Sequence, residues 1–162
     1  MLDGHGAYGH FISNLTSRFL LKHLLKDATF YTDTAKCINN VLNKMNGLIE
    51  DYAYYHRKSI SFNTIMSGCS VTVVVKRRNQ LYVGSIGDTK AIIFRNQMTG
   101  GIKGKASYAQ ISIQHIPSDP VEKMRIYRNC GEIRKRQSDF SNKVFLRGRN
   151  YPGLHITRSI GD

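Results

Sequence analysis

The chain has 162 residues, of which 41% are apolar, and a net charge of +13. This is enough for one domain with a hydrophobic core, and the composition excludes an intrinsically disordered protein. The sequence contains no apolar run of the roughly 20 residues that a membrane span needs, and its start lacks a signal-peptide pattern. We therefore expect an intracellular protein, cytoplasmic or nuclear, with no membrane association. The cysteines Cys37, Cys69 and Cys130 form no CxxC pair, so we expect them to be reduced and unpaired.

Apolar periodicity predicts two helices near the start of the chain. Side chains at three- and four-residue steps form one helical face between Tyr8 and about Leu25, namely Phe11, Ile12, Leu15, Phe19 and Leu24. A second face runs from Ile38 to Tyr52, and Thr32 or Asp33 is available as its N-cap.

After Ser67-Gly68 the pattern changes to β-branched runs, which predict an antiparallel meander. The predicted strands are residues 70–76, 81–85 and 89–95, with turns at residues 77–80 and at Gly87-Asp88. Residues 96–107 are Gly-rich and basic and predict a loop, followed by a strand over residues 109–113.

The segment Asp119-Pro120-Val121-Glu122 predicts the start of a short helix. Asp119 is the expected N-cap, Pro120 suits the first helical position, and Glu122 is placed as a capping-box glutamate. The helix should continue to about Asn129, and two short strands are predicted within residues 132–136 and 143–147.

The basic residues are concentrated in the run Lys76-Arg77-Arg78 and in the C-terminal quarter of the chain. Such a charge suggests an acidic partner such as nucleic acid. No zinc ligands, RNP aromatics or recognition helix accompany it, so a solvated basic face is the favoured interpretation. The second interpretation is that the chain lacks an acidic segment that would pair with this basic face. We expect no nucleic-acid partner.

The segment Asp3-Gly4-His5-Gly6 carries the first chemically suggestive residues. A carboxylate is a hard oxygen ligand for Mg²⁺ or Mn²⁺, and a histidine can transfer a proton near neutral pH. A turn in which the aspartate caps the next helix would have the same sequence, so this segment alone leaves both interpretations open.

Three later segments extend the pattern. Asp88 follows Gly87 in a tight turn between two predicted strands, where its carboxylate could either accept turn amides or face a metal. His115-Ile116-Pro117 precedes the capped helix, and the chain ends on Thr157-Arg158-Ser159-Ile160-Gly161-Asp162.

In this order the segments resemble the successive signatures of the type 2C (PPM) metal-dependent protein serine/threonine phosphatases. These signatures are the DGHG motif, the SGxTA strand, the VGDSRA turn, the HKP helix and the SRxxGD segment, and the match extends from Asp3 to Asp162. The lead-in at residues 151–154 is most similar to the plant and protist branch.

The resemblance implies an α+β fold, an α/β/β/α sandwich of two antiparallel sheets flanked by helices, with two metal ions, Mg²⁺ or Mn²⁺, at one end. By resemblance, Asp3 bridges the metals, the Gly4 carbonyl binds one of them, and His5 is the general acid that protonates the departing Ser or Thr oxygen. Asp88 matches a third, weaker metal position. Ser70, Thr72 and Arg158 match positions that shape the core.

Several positions depart from the family pattern: Gln114 and Ile116 replace Asp and Lys, Cys130 replaces Gly, Ser85 replaces Asn, and Ser70-Val71 replace Thr-Ala. Most of these are packing changes. The family's other acidic ligands precede the DGHG strand or follow the GD pair. Residues 1–162 are therefore expected to be a partial domain that lacks the first strands and the C-terminal metal-ligand segments.

The resulting hypothesis is metal-dependent hydrolysis of phosphoserine and phosphothreonine on a phosphoprotein substrate, by a monomer. A non-catalytic pseudophosphatase or regulatory binding module of the same fold is the alternative. Retention of both Asp3 and His5 favours catalysis, since a binding module has no need of a proton-transfer residue beside a metal ligand.

Overall fold

The computed structural model describes residues 1–58, 62–95, 98–99, 102–103 and 107–162. Within these residues the elements follow in the order β1 (Leu2–His5), α1 (Gly9–Lys26), α2 (Thr34–His56), β2 (Gly68–Arg77), β3 (Gln80–Ile86), β4 (Ile92–Arg95), β5 (Met98–Thr99), β6 (Ile102–Lys103), β7 (Ser107–Gln110), α3 (Pro120–Arg128), β8 (Gly131–Arg134), β9 (Lys143–Leu146), β10 (Pro152–Leu154) and β11 (Ile160–Gly161).

The strand β2 is the centre of a four-stranded antiparallel sheet. Its first residues pair with β1, where Asp3 lies opposite Ser70 and His5 opposite Gly68. The strand β11 pairs with the same end of β2, and β3 pairs with the rest of it. Both ends of the chain therefore meet at the start of β2.

The helices α1 and α2 lie where the periodicity predicts them. The Asp33 side chain accepts a hydrogen bond from the Lys36 amide at 3.0 Å, which confirms Asp33 as the N-cap of α2. Both helices bury their apolar faces in one core with β2, and its fully buried members include Ile12, Met45, Ile49, Cys69 and Val71. At roughly 1.5–3 kcal/mol for a fully buried large apolar side chain, this core holds the helices on the sheet.

The predicted meander is confirmed for β2 and β3 but is wrong beyond them. In the described residues β4 does not pair with β3; it forms a separate two-stranded ladder with β7. The chain leaves the sheet at Gly87, whose φ of +92° ends the strand conformation. Just after this turn, the Ala91 amide donates to the buried Ser112 hydroxyl at 2.9 Å, and the Ile111 amide donates to the Ala91 carbonyl at 2.9 Å.

The loop predicted over residues 96–107 is wrong in part. Short strands β5 and β6 lie within it and pair with each other. Residues 96–97, 100–101 and 104–106 of that prediction lie outside the described residues. The strand predicted over residues 109–113 is found slightly earlier, as β7.

The last part of the chain contains α3 and a three-stranded sheet in the order β10-β9-β8. The strands β8 and β9 were predicted, whereas β10 was not. Asp119 caps α3 by accepting from the Val121 and Glu122 amides at 2.8 and 3.0 Å, and Pro120 is in the first turn, as predicted.

Glu122 is not a capping-box residue, and this prediction is wrong. Glu122 is 4% exposed, and its carboxylate accepts hydrogen bonds from Arg158 (2.6 Å), Thr157 (2.7 Å) and Arg125 (2.9 Å). Burial raises the pKa of Glu122, but the bonds from Arg158, Arg125 and Thr157 outweigh it and lower the pKa to about 2. Glu122 therefore fastens α3 to the segment that leads into β11.

The three cysteines form no disulfide with one another, as predicted. Cys37 and Cys69 are buried, and Cys130 is exposed.

Candidate functional site

A cavity of about 330 Å³ opens where β1, the start of β2 and the turn after β3 meet. Its lining includes Asp3, His5, Ser70, Asp88 and residues 152–156. The structure thus brings Asp3, His5 and Asp88 to one place, although 85 positions separate the two aspartates in the sequence. Gly4 lies between Asp3 and His5 in β1, opposite Cys69, and is not among the lining residues.

The buried Ser70 is the cross-strand neighbour of Asp3, and its hydroxyl bonds to Asp88. Asp3 and Ser70 are directly opposed on neighbouring strands, so their side chains share one face of the sheet. The Ser70 hydroxyl donates to the Asp88 carboxylate at 3.0 Å and accepts from the Asp88 amide at 3.4 Å. Ser70, assigned from the sequence to the core alone, thus also orients a carboxylate that lines the cavity.

The turn that carries Asp88 depends on the absence of a side chain at Gly87. A Cβ at this position would lie 2.1 Å from the Ser70 hydroxyl oxygen, and the positive φ disfavours other residues. On the far side of the turn, the Thr72 hydroxyl donates to the Thr89 carbonyl at 3.1 Å. The turn is therefore fastened to β2 at two points.

His5 is paired with Asp162. Its Nε2 lies 2.7 Å from the Asp162 carboxylate, whose side chain is 9% exposed and which also accepts from the Ser159 hydroxyl at 2.6 Å. The absence of a side chain at Gly68 leaves room for this pair, since a Cβ there would approach the Asp162 carboxylate to 2.6 Å.

The hydrogen bond to Asp162 is the main influence on the pKa of His5. This bond raises the pKa above its usual 6.5, burial lowers it, and the charges of Asp162, Asp3 and Asp88 raise it further; the net direction is upward. A proton is therefore held on this ring more strongly than on an exposed histidine.

Two residues at the site have no role predicted from the sequence: Asp162, which pairs with His5, and His155, which lines the cavity. Asp162 belongs to the Gly161-Asp162 pair that carries the resemblance, so a signal was present, but its partner His5 is 157 positions away. His155 lines the cavity and its Nδ1 lies 2.9 Å from the Ser141 hydroxyl. Nothing in its local sequence distinguishes it from an ordinary loop histidine.

The donors at the cavity fit a divalent cation in part. Asp3 and Asp88 offer hard carboxylate oxygens, which suit Mg²⁺ and Mn²⁺, and Mg²⁺ commonly keeps several water ligands. Among the described residues, however, no group of three or more His, Cys, Asp or Glu side chains is arranged to hold a metal ion. The described residues therefore supply two carboxylates of a possible ligand set at this cavity.

The sequence matches the family described as Protein phosphatase 2C over residues 2–162. The chain belongs to the protein phosphatase 2C family. Its membership confirms the predicted family, which is one of metal-dependent phosphatases.

Relatives from plants and ciliates agree with the plant- and protist-like segment noted above. The Arabidopsis thaliana protein named "Probable protein phosphatase 2C 61" is 29% identical over 167 residues, covering 100% of this chain and 48% of that protein. The Paramecium tetraurelia protein named "Probable protein phosphatase 2C 2" is 27% identical over 169 residues, with coverages of 100% and 48%. The chain thus spans about half the length of the curated relatives it matches.

A solved structure supports the fold class. The serine-threonine phosphatase 2C from Toxoplasma gondii superposes with a TM-score of 0.71 at 17% identity, covering 99% of this chain and 56% of that one. The protein phosphatase 2C fold is an α/β sandwich, so the predicted fold class is confirmed. In the part of the chain that the structure describes, no helix has the length and apolar character needed to cross a bilayer.

Proposed function

We propose that the protein hydrolyses phosphoserine and phosphothreonine monoesters on proteins with the help of two divalent cations, Mg²⁺ or Mn²⁺. The observation that carries this proposal is the convergence of Asp3, His5 and Asp88 on one cavity in a member of a phosphatase family. A pseudophosphatase would retain the fold, but it would not need a paired histidine of raised pKa beside these carboxylates.

In this proposal Asp3, the Gly4 carbonyl and Asp88 are oxygen ligands of the cations. When bound, such cations lower the pKa of a coordinated water and neutralise charge on the phosphoryl oxygens. Asp88 has its carboxylate oriented by Ser70, and Asp3 projects from β1 on the same face of the sheet. The residues of this chain thus place two carboxylates beside an open cavity, one of them oriented by a hydrogen bond.

His5 is the proposed general acid for the departing Ser or Thr oxygen. A protonated imidazole carries a proton on each ring nitrogen; with Nε2 engaged by Asp162 at 2.7 Å, the proton at Nδ1 remains for transfer. Asp162 orients the ring and raises its pKa, which keeps His5 protonated closer to neutral pH.

We also propose that residues 1–162 form one part of the phosphatase domain, and that its remaining strands and acidic ligands lie elsewhere in the full protein. The support is twofold: the chain spans about half of its relatives, and the described residues contain no complete metal-ligand group.

The proposed partner is a phosphoprotein, and the proposed setting is the cytoplasm or nucleus, with the protein as a monomer.

Several basic residues of the C-terminal region form contacts within the protein. Arg158 and Arg125 bind Glu122, and Lys143 pairs with Asp139 at 2.7 Å. Arg134 and Arg136 stack on the Phe145 ring, at 4.4 and 4.5 Å from its centre.

The test is manganese-dependent hydrolysis of a phosphothreonine peptide by the 162-residue chain, by the full-length protein, and by full-length Asp3→Ala. The exposed Asp51 on α2 provides the matched control, Asp51→Ala. We expect weak turnover by the short chain, robust turnover by the full-length protein and the control, and a loss of at least about 100-fold in Asp3→Ala. An inactive full-length protein that still folds would favour the pseudophosphatase.

A further inference from the structure

The segment Gln114–His115 forms hydrogen bonds to the turn that carries Asp88. The Gly87 amide donates to Nδ1 of His115 at 3.2 Å, and the His115 amide donates to the Gly87 carbonyl at 2.8 Å. The Gln114 side-chain amide donates to the Asp88 carbonyl at 3.0 Å. Three hydrogen bonds therefore join two adjacent residues of this segment to two adjacent residues of the turn.

These hydrogen bonds restrict which side chains at positions 114 and 115 could replace Gln and His. A backbone amide can only donate, so position 115 must present an acceptor where Nδ1 lies. A backbone carbonyl can only accept, so position 114 must present a donor, which Gln provides and the carboxylate usual in the family at this position would not. Ser70 of β2 bonds to the same turn, so two separate segments of the chain hold Asp88.

The segment Gln114–His115 is itself anchored to α3 through Thr157. The Thr157 amide donates to the His115 carbonyl at 2.9 Å, and the Thr157 hydroxyl donates to the buried Glu122 carboxylate at 2.7 Å. A continuous set of contacts thus runs from α3 through Thr157 and His115 to the Gly87–Asp88 turn.

We propose that Gln114 and His115 are positioning residues that hold the Gly87–Asp88 turn so that the Asp88 carboxylate is aimed at a divalent cation in the cavity. The inference rests on the proposed role of Asp88 as a metal ligand. Neither residue touches the substrate or the cation; both act through the backbone of the turn.

The experiment uses the metal-free full-length protein and two readouts that need no catalytic activity. Amide hydrogen exchange measures protection of the Gly87 amide, and electron paramagnetic resonance of free Mn²⁺ gives the Mn²⁺ dissociation constant. His115→Ala removes the acceptor, whereas His115→Asn keeps an oxygen near the position of Nδ1. Gln114→Met removes the donor at nearly constant size, and Gln137→Met, at an exposed position, is its control.

We expect His115→Ala to speed exchange at Gly87, and His115→Ala and Gln114→Met to weaken Mn²⁺ binding about tenfold, the low end for residues that orient metal ligands. His115→Asn and Gln137→Met should stay close to the wild type in both readouts. Wild-type Mn²⁺ affinity in His115→Ala and Gln114→Met would overturn the inference, as would an equal loss in His115→Ala and His115→Asn.

Asp88→Asn separates this inference from the proposed function. If Asp88→Asn weakens Mn²⁺ binding while the variants at positions 114 and 115 do not, Asp88 is a ligand and the positioning role is wrong. If Asp88→Asn has no effect on Mn²⁺ binding, the assignment of Asp88 fails, and the inference fails with it. If the full-length protein binds Mn²⁺ as expected but hydrolyses no peptide, the proposed activity alone is wrong.

Discussion

At the scale of single residues, the cavity depends on backbone positions that tolerate no side chain. Gly87 has a φ of +92°, and a Cβ added at this position would lie 2.1 Å from the Ser70 hydroxyl oxygen. The same serine orients the Asp88 carboxylate, so a change at Gly87 displaces a side chain of the site as well as the turn.

Gly87→Ala is therefore expected to destabilise the protein by about 1–3 kcal/mol, the usual cost of a non-glycine residue in a strained backbone conformation. Gly47→Ala is the matched control, because Gly47 lies inside α2 and an added Cβ there meets no atom within 4 Å. The control should stabilise the protein by about 0.5–1 kcal/mol. Urea denaturation of the two variants measures both, and destabilisation of equal size in both would contradict this account of Gly87.

At the scale of secondary-structure elements, Glu122 joins α3 to the segment before β11. Its Gln variant keeps the size of the side chain but loses the charge that three donors share. Both arginine side chains stay 40–45% exposed and can be solvated after the change. We therefore expect Glu122→Gln to lower the free energy of unfolding by about 1–3 kcal/mol, which is less than the loss from breaking a fully buried ion pair. The control Glu50→Gln, on the exposed face of α2, should change this free energy by less than about 0.5 kcal/mol.

The same residue predicts a pH dependence of stability. The folded-state pKa of Glu122, about 2, is below its unfolded-state value of 4.5. The stabilisation is thus fully present above about pH 4.5 and is lost as the pH falls toward 2. Denaturation curves of the wild type and Glu122→Gln should converge over this window. A difference between them that is constant from pH 6 to pH 2.5 would show that charge on Glu122 is not what stabilises the contact.

Elements formed by local patterns could be predicted from the sequence, and those formed by distant pairing could not. The apolar residues of α1 and α2 recur at helical spacing. Asp119 and Pro120 are adjacent in the sequence and mark the start of α3. The strands β10 and β11 have three and two residues, too few to show a pattern, and β11 exists only because β2 is beside it. Glu122 has a local capping-box position, but Arg158, 36 residues away, provides the stronger partner.

In the candidate site, too, local motifs could be predicted from the sequence, whereas contacts between distant residues could not. Asp3, Gly4, His5 and Asp88 are in short motifs that a resemblance can identify, although their roles stay predictions. The pairing of His5 with Asp162 depends on the registers of β1 and β11 on β2, and that of Asp88 with Ser70 depends on the register of β3 on β2. The sequence does not specify these registers.

At the scale of the whole molecule, the ladder of β4 and β7 presents an apolar surface. All eight of its residues are exposed, with Phe94 at 73% and Tyr108 at 75%. Their rings lie 6.2 Å apart, and no other described element covers them. An exposed apolar sheet of this kind favours association or aggregation.

We expect the 162-residue chain to bind a hydrophobic fluorescent dye strongly, and the double variant Phe94→Thr/Tyr108→Thr to bind much less of it. Tyr55→Thr, at a 76% exposed tyrosine on α2, is the control and should leave dye binding nearly unchanged. The full-length protein should bind less dye than the short chain. Equal dye binding by the double variant and the parent chain would place the exposed apolar surface elsewhere.

The proposed arrangement places Asp3, the Gly4 carbonyl and Asp88 as ligands of divalent cations at one cavity, beside His5. Paramagnetic broadening by Mn²⁺ tests it most directly, through the backbone amide signals of isotope-labelled full-length protein titrated with substoichiometric Mn²⁺. We predict that the signals of residues 3–6 and 87–89 broaden together and that Asp3→Asn abolishes the effect, while Asp51→Asn does not. Broadening confined to other acidic positions such as Asp27 or Asp139, or broadening that Asp3→Asn leaves unchanged, would contradict the claim.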